Sequence, residues 1–140
     1  MSTKSQIRLI RLAIQQARRS ECRYKVGAVI AQGSRILSAS ANLQRNSSPS
    51  AFKFATYHAE EAALRQIRFV RNPTVYVARV GGSGNVLLAK PCARCQYALH
   101  QAGVAKALYT TDGGSIHSMR ILGTLGNTRR GMAVREYNGM

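Results

Sequence analysis

The residues with the clearest chemical potential are a histidine, a glutamate and two cysteines in two separate segments. These segments are His58-Ala59-Glu60 and Pro91-Cys92-Ala93-Arg94-Cys95. The two cysteines are three positions apart, a spacing that brings both side chains to one face of a helix. Two thiolates and one imidazole are ligands that suit zinc. Three protein ligands leave the fourth position of a tetrahedral site open for water, as in catalytic zinc sites.

Glu60 lies two positions beyond the histidine, so it can reach a water in the open position without being a ligand. A metal-activated water beside a carboxylate can attack a carbon atom hydrolytically. The alternative is a structural zinc knuckle, or core residues with no shared role. Neither alternative explains why a His-x-Glu pair accompanies the cysteine pair. The sequence therefore predicts a catalytic centre, with Glu60 as the proton shuttle and His58, Cys92 and Cys95 as the metal ligands.

These motifs resemble the zinc-binding motifs of the cytidine and deoxycytidylate deaminase superfamily, in the branch whose first metal ligand is histidine. The resemblance extends from about position 26 to position 112. Besides the two metal segments, it includes Val26-Gly27-Ala28-Val29-Ile30, Asn42 and residues 107–112. It implies an α/β fold, a three-layer α/β/α sandwich with a mixed sheet. It also implies a Zn²⁺ cofactor and hydrolytic deamination at C4 of cytosine or C6 of adenine.

The resemblance also implies substrate contacts. Asn42 would hydrogen-bond the sugar, the backbone N–H of Ala59 would reach the base carbonyl, and Tyr109 would stack on the base. Asn42 is otherwise a turn residue at a strand end, and Tyr109 is otherwise an ordinary strand aromatic. Free-nucleoside cytidine deaminases usually carry cysteine in place of His58, so the resemblance disfavours cytidine itself as the substrate.

Charge is the most unusual feature of the composition. The chain has 21 Lys and Arg residues against five Asp and Glu residues, for a net charge of +16. Arginine supplies most of the positive charge, and its guanidinium fork binds phosphate bidentately, so a polyanionic partner is favoured. A GC-rich genome would explain why arginine outnumbers lysine, but it would not explain why Asp and Glu are scarce.

The predicted function is therefore conversion of cytosine to uracil in a nucleotide or, preferably, in single-stranded nucleic acid. The alternative among enzymes is a tRNA adenosine deaminase, because the Val-Gly-Ala-Val and His-Ala-Glu segments resemble that group too. The alternative from another class is a basic zinc domain that binds nucleic acid without catalysis. A homo-oligomer is compatible with all three.

Length and composition limit the remaining possibilities. With 140 residues and 45% hydrophobic residues, the chain is expected to form a single domain over 1–140, with about the last 15 residues as a candidate tail. It has no apolar run long enough for a membrane span and no recognisable signal peptide. Two of its three cysteines belong to the metal motif, so a disulfide framework is not expected and a reducing cytoplasm fits.

Hydrophobic periodicity predicts a first helix over 4–19, with an apolar stripe and a basic stripe. The apolar stripe consists of Ile7, Ile10, Ile14 and Ala17. The basic stripe consists of Lys4, Arg8, Arg11, Gln15 and Arg18. The basic stripe is either a phosphate-binding surface or a solvated helix face.

The remaining pattern predicts the elements that position the metal ligands. Strands are expected over 26–31 and 36–41, joined as a hairpin, and over 74–80 and 105–111. The last two should be parallel because a helix connects them. Helices are expected over 58–70, from Pro91 to 102 with Gly103 as the cap, and over 115–122. Residues 43–56 are predicted to be a loop whose charged and aromatic residues either contact a single strand or pack into the core. Residues 128–140 are predicted to be an edge strand or a mobile tail.

Overall fold

The computed structural model describes residues 3–44, 56–67 and 72–121. Its helices are α1 (Lys4–Arg18), α2 (Ala59–Leu64) and α3 (Ala93–Gln101). Its strands are β1 (Lys25–Gln32), β2 (Arg35–Ala41), β3 (Leu43–Gln44), β4 (Thr56–Tyr57), β5 (Thr74–Val80), β6 (Val86–Leu87), β7 (Lys106–Thr110) and β8 (Ile116–Arg120). Within these described ranges, no helix combines the length and the apolar composition that crossing a bilayer would require.

The main sheet is mixed, as the sequence predicts. Its strand order is β2-β1-β5-β7-β8, and β6 pairs with β5. The pair β5 and β7 is parallel, with Thr74 opposite Lys106 and Val77 opposite Tyr109, and the other pairs of this sheet are antiparallel. The strands β2, β5 and β7 therefore run in the same direction and end at one edge of the sheet, where β1 begins. β3 and β4 form a separate two-stranded ribbon.

Helices cover both faces of the sheet, which confirms the predicted three-layer arrangement. Successive side chains of a strand point to opposite faces, and the buried residues accordingly separate into two clusters. The cluster under α1 contains Leu9, Ile10, Ala13, Val29, Ala31, Tyr76, Ala78 and Leu108. The cluster on the side of α2 and α3 contains Ala28, Ile30, Ala59, Ala63, Val75, Val77, Leu99, Ala107 and Tyr109, among others.

The first helix begins at Lys4, as its hydrophobic periodicity predicts, and Thr3 caps it. Thr3 accepts a hydrogen bond from the Gln6 N–H, and the Gln6 side chain accepts one from the Thr3 N–H, which is a capping box. The buried face is rotated relative to the predicted stripe, since Leu9 and Ala13 are fully buried while Ile7 and Ile14 are half-buried. The rotation brings Leu9 and Ala13 into one buried cluster with residues of β1, β5 and β7.

Several predicted boundaries are wrong. Residues 116–120 form the edge strand β8 rather than a helix, because pairing with β7 satisfies their backbone groups. Pro91 is not the first helical residue, since α3 begins at Ala93 with Cys92 as its N-cap. The helix α2 ends at Leu64 rather than at 70. The N–H groups of Gln66 and Ile67 donate to carbonyl groups three residues earlier, which tightens the turn after the helix.

The predicted loop over 43–56 contains β3 and the first residue of β4. Residues 68–70 and the segment beyond 123 lie outside the described part of the chain.

Gly27 permits the close approach of α1 to β1. A Cβ atom at this position would lie 2.1 Å from the Ala13 carbonyl oxygen and 2.4 Å from the Ala17 nitrogen. Both atoms belong to the backbone of α1, so no side-chain rotation could relieve the overlap. The spacing between the first helix and the sheet therefore depends on glycine at this position.

We predict that Gly27→Ala lowers the free energy of unfolding by about 3 kcal/mol, because α1 must move away from the sheet. The matched control is Gly82→Ala, since a Cβ at Gly82 meets nothing within 4 Å. Urea unfolding of both variants measures the difference. Equal midpoints for the two variants would show that α1 does not pack as closely as described.

Candidate metal centre

The metal-binding motifs lie at the edge of the sheet where β2, β5 and β7 end. His58 is the N-cap of α2, and Cys92 is the N-cap of α3. The segment before α3 is attached to this edge, because the Ala89 N–H donates to the Thr110 carbonyl at the end of β7. Two helix N-termini therefore meet here, and their dipoles favour negative charge on the ligands.

The three predicted ligands come together. The distance from His58 Nδ1 to Cys95 Sγ is 3.1 Å, and the distance from His58 Nδ1 to Cys92 Sγ is 3.7 Å. The three ligand atoms all lie within 4.8 Å of one another. Tetrahedral zinc with ordinary Zn–N and Zn–S bonds requires separations of about 3.5 to 3.8 Å. The donor set fits zinc: the His58–Cys92 separation lies within this range, and the shorter His58–Cys95 separation requires only a small side-chain shift.

Interactions among the clustered side chains favour one thiolate. A hydrogen bond from the Cys95 thiol lowers the pKa of Cys92 to about 3, and His58 contributes in the same direction. That bond, together with burial, raises the pKa of Cys95. The hydrogen bond with Cys92 also raises the pKa of His58. Because ligands bind zinc as thiolates and neutral imidazole, metal binding would release protons from this cluster.

Glu60 lies in the first turn of α2 and is 5% exposed. Burial raises the pKa of its carboxyl group, and hydrogen bonds with its backbone and with Cys95 only partly oppose this effect. A carboxyl group with a raised pKa holds and releases a proton closer to neutral pH. This environment is suited to proton transfer beside the ligand cluster.

A second carboxylate joins the two helices that carry the ligands. Glu61 Oε1 accepts a hydrogen bond from the His58 N–H at 3.1 Å and one from Arg94 Nη2 at 2.9 Å. Arg94 lies between the two cysteines in α3. Local patterns do not indicate this pair, since its members are 33 positions apart in the chain. The Glu61–Arg94 ion pair therefore links the backbone of His58 to α3, the helix that supplies the cysteine ligands.

Asn42 lies at the same edge, directly after β2. Its Oδ1 accepts hydrogen bonds from Ser20 Oγ at 2.6 Å and the Val26 N–H at 3.0 Å, and its Nδ2 donates to the Tyr24 carbonyl at 2.6 Å. The amide therefore ties the end of α1 and the start of β1 to the end of β2. A side-chain amide has two N–H donors, and these bonds use one of them. Its contact with a sugar stays a prediction.

The other two predicted substrate contacts also lie on the side of the sheet that α2 and α3 cover. Ala59 is fully buried as the first residue of α2, where backbone N–H groups lack partners within the helix. Tyr109 is 9% exposed near the end of β7, and its ring meets His117 edge to face, with centroids 6.1 Å apart. Their contacts with the base stay predictions. Cys22 is buried and does not belong to the cluster of metal-ligating side chains found among the described residues.

Comparison with known proteins identifies a matching family. The family model described as "Cytidine and deoxycytidylate deaminase zinc-binding region" matches residues 3–111. That range contains all three clustered ligands, so the predicted zinc cofactor is confirmed, and His58, Cys92 and Cys95 form a potential metal site. No match was found among curated proteins.

Solved structures of deaminases share the fold. The apo dCMP deaminase of cyanophage S-TIM5 has a TM-score of 0.62 and 22% identity, over 79% of this chain and 86% of that chain. The cytidine deaminase of Burkholderia pseudomallei has a TM-score of 0.62 and 15% identity, over 86% of this chain and 94% of that chain. A structure from work on A-to-I editing by tRNA:A34 deaminases has a TM-score of 0.51 and 25% identity, over 75% of each chain. These similarities confirm the predicted α/β fold.

We predict that Cys95→Ser lowers the zinc content of the purified, reduced protein to well below one ion per chain, because a hydroxyl is a poor zinc ligand beside a thiolate. The matched control is Cys22→Ser, which changes a buried cysteine outside the cluster. Metal analysis by mass spectrometry measures both variants. Full zinc occupancy in Cys95→Ser would remove Cys95 from the ligand set.

Proposed function

Since the chain belongs to the cytidine and deoxycytidylate deaminase family, we propose that it is a zinc-dependent hydrolytic deaminase that converts cytosine to uracil. The preferred substrate is cytosine in single-stranded nucleic acid, and a cytosine nucleotide is the other substrate of this class. One observation carries the proposal: three zinc-type ligands converge beside a buried carboxyl group at the edge of the sheet.

The chemistry divides between the ligands and Glu60. His58, Cys92 and Cys95 would hold the zinc ion, which when bound supplies a Lewis acid that lowers the pKa of water toward neutrality. Glu60 accepts a proton from the attacking water and delivers it to the ring nitrogen N3. The water oxygen bonds to C4, and Glu60 then transfers the proton of the new C4 hydroxyl to the amino group. The C4–N bond breaks, so cytosine and water yield uracil and ammonia.

Three residues would orient the base. The backbone N–H of Ala59 is one of the first in α2 and would donate to the base carbonyl. The remaining N–H of Asn42 would donate to a sugar hydroxyl, while its other bonds keep the amide in place. Tyr109 would stack on the base from the end of β7. These roles are consistent with burial of the ring and the amide at the metal-binding edge of the sheet.

A basic and aromatic cluster beside the metal centre supports the polymer as the preferred substrate. The ring of Tyr24 is 59% exposed and has two guanidinium groups near it, with its centroid 5.8 Å from Arg23 Cζ and 5.2 Å from Arg79 Cζ. Tyr24 precedes β1 and its carbonyl accepts the bond from Asn42, so the cluster lies at the metal-binding edge. An exposed ring can stack on a neighbouring base while guanidinium groups contact phosphates.

Deamination of adenosine in tRNA is the second candidate. The observation that favours it is the 25% identity with a structure from work on tRNA:A34 deaminases. The segment His58-Ala59-Glu60 also resembles that group, and the same ligands and proton shuttle serve attack at C6 of adenine. The two candidates differ in the base, so assays on cytosine and adenine substrates in parallel distinguish them.

We predict that Glu60→Gln lowers kcat by roughly a hundredfold or more, because the amide cannot accept and return a proton. Zinc content should stay at the level of the unsubstituted protein, since Glu60 is not a ligand. The control is Glu21→Gln, which removes an exposed carboxylate in the loop after α1. Ammonia release from single-stranded DNA, tRNA, dCMP, CMP and cytidine measures activity. Unchanged turnover in Glu60→Gln would exclude this role, and a complete lack of turnover in the unsubstituted zinc protein would support a non-catalytic binding domain.

We also predict that Tyr24→Ala lowers kcat/KM for a single-stranded oligonucleotide roughly tenfold, because a base–aromatic stack is lost. Turnover of dCMP should change much less, since a mononucleotide has no neighbouring base. The control is Tyr97→Ala, which removes another exposed tyrosine, on α3. If Tyr24→Ala lowers activity on dCMP as strongly as on the oligonucleotide, the ring does not act on a neighbouring base.

A further inference from the structure

The outward face of α1 is basic along its whole length. The helix has 15 residues and is therefore about 22 Å long. No acidic residue occurs in it, and its exposed positions include three arginines at helical spacing. We define the basic face by the exposed residues Lys4, Arg8, Arg11, Gln15 and Arg18.

Hydrogen bonds at the two ends of α1 locate this face relative to the metal centre. Arg8 Nη2 donates to the Ser34 carbonyl in the turn between β1 and β2, at the edge of the sheet away from the ligands. At the other end, Ser20 follows α1 and its hydroxyl donates to Asn42 Oδ1 at the metal-binding edge. The basic face therefore begins near the metal-binding edge and crosses the side of the sheet opposite α2 and α3.

We propose that the basic face of α1 is a docking surface for the phosphate backbone of a nucleic acid. A strand that leaves the metal centre past Arg23, Tyr24 and Arg79 can cross the edge of the sheet and continue along α1. Guanidinium groups at helical spacing would contact successive phosphates on the way. The surface binds the strand outside the segment that contains the target base.

Two properties of α1 favour nucleic acid over a lipid surface. A helix that binds a membrane interface inserts an apolar face. Leu9, Ile10, Ala13 and Ala17 of α1 are instead buried in the core, and its other large apolar residues are half-buried. None of the large exposed hydrophobic residues in the described part of the chain belongs to this helix. The basic face thus offers charge without an apolar surface, which suits phosphates in water.

The proposal predicts a change in binding that does not require turnover. We expect Arg11→Gln together with Arg18→Gln to lower the affinity for long single-stranded DNA or RNA roughly tenfold. The slope of log K against log salt should become shallower by about 1.4, since two phosphate contacts are lost. Fluorescence anisotropy in the Glu60→Gln background measures binding even if the proposed deaminase activity is absent. The double variant Arg11→Gln, Arg18→Gln with Glu60 intact should deaminate dCMP at an unchanged rate.

The control pair is Lys106→Gln with Arg120→Gln. These two residues are exposed cross-strand neighbours on β7 and β8, and their removal changes the net charge equally. Arg11→Lys with Arg18→Lys keeps the charge and should retain most of the slope, which separates lost contacts from misfolding. Equal losses in the α1 pair and the control pair would overturn the proposal, because only net charge would then matter.

Two other results would contradict the proposal that the basic face of α1 binds nucleic acid. An α1 pair that binds nucleic acid with unchanged affinity and salt slope would show that phosphates bind elsewhere. If the α1 pair loses binding to anionic phospholipid vesicles or to an acidic peptide but keeps binding to nucleic acid, the face has a different partner. Loss of nucleic-acid affinity confined to the α1 pair would support the proposal.

Discussion

The candidate site depends on the meeting of two helix N-termini at one edge of the sheet. The carboxylate of Glu61 joins them, since one oxygen accepts hydrogen bonds from both the His58 backbone and the Arg94 side chain. This partly exposed ion pair adds to the packing of α2 and α3 in one core cluster, which holds the imidazole segment beside the thiolate segment. In this arrangement, three ligand atoms lie close enough to share one ion, and the buried carboxyl of Glu60 is held beside them.

The sheet supplies the rigidity that this junction needs. The parallel pair of β5 and β7 ends at the edge that α3 approaches, and the short Ala89-to-Thr110 backbone bond attaches the preceding segment there. On the other face, glycine at position 27 lets α1 pack close to β1. Asn42 then connects the end of α1 to the same edge through Ser20. Side chains on rigid elements keep the geometry that metal binding and proton transfer require.

Charge is distributed around this framework in a way that bears on the partner. The buried acid Glu60 is at the centre and Glu61 is used within the junction, while the exposed face of α1 carries only basic and polar groups. Tyr24 and its two guanidinium neighbours lie between these regions, at the edge of the sheet. Under the proposed function, a polyanion would contact both the metal-binding edge and α1, whereas a mononucleotide would contact only the metal-binding edge.

The sequence by itself predicted the three residues that cluster as a potential metal site, the family and most of the elements, because spacing and hydrophobic period are local properties. It also determined that β5 and β7 are parallel, since a helix connects them. Tertiary structure alone decided the Glu61–Arg94 junction, the internal bonds of Asn42 and the route of the basic face, since all of these join distant parts of the chain. It also decided that residues 116–120 form a strand, because only the free edge of β7 supplies their backbone partners.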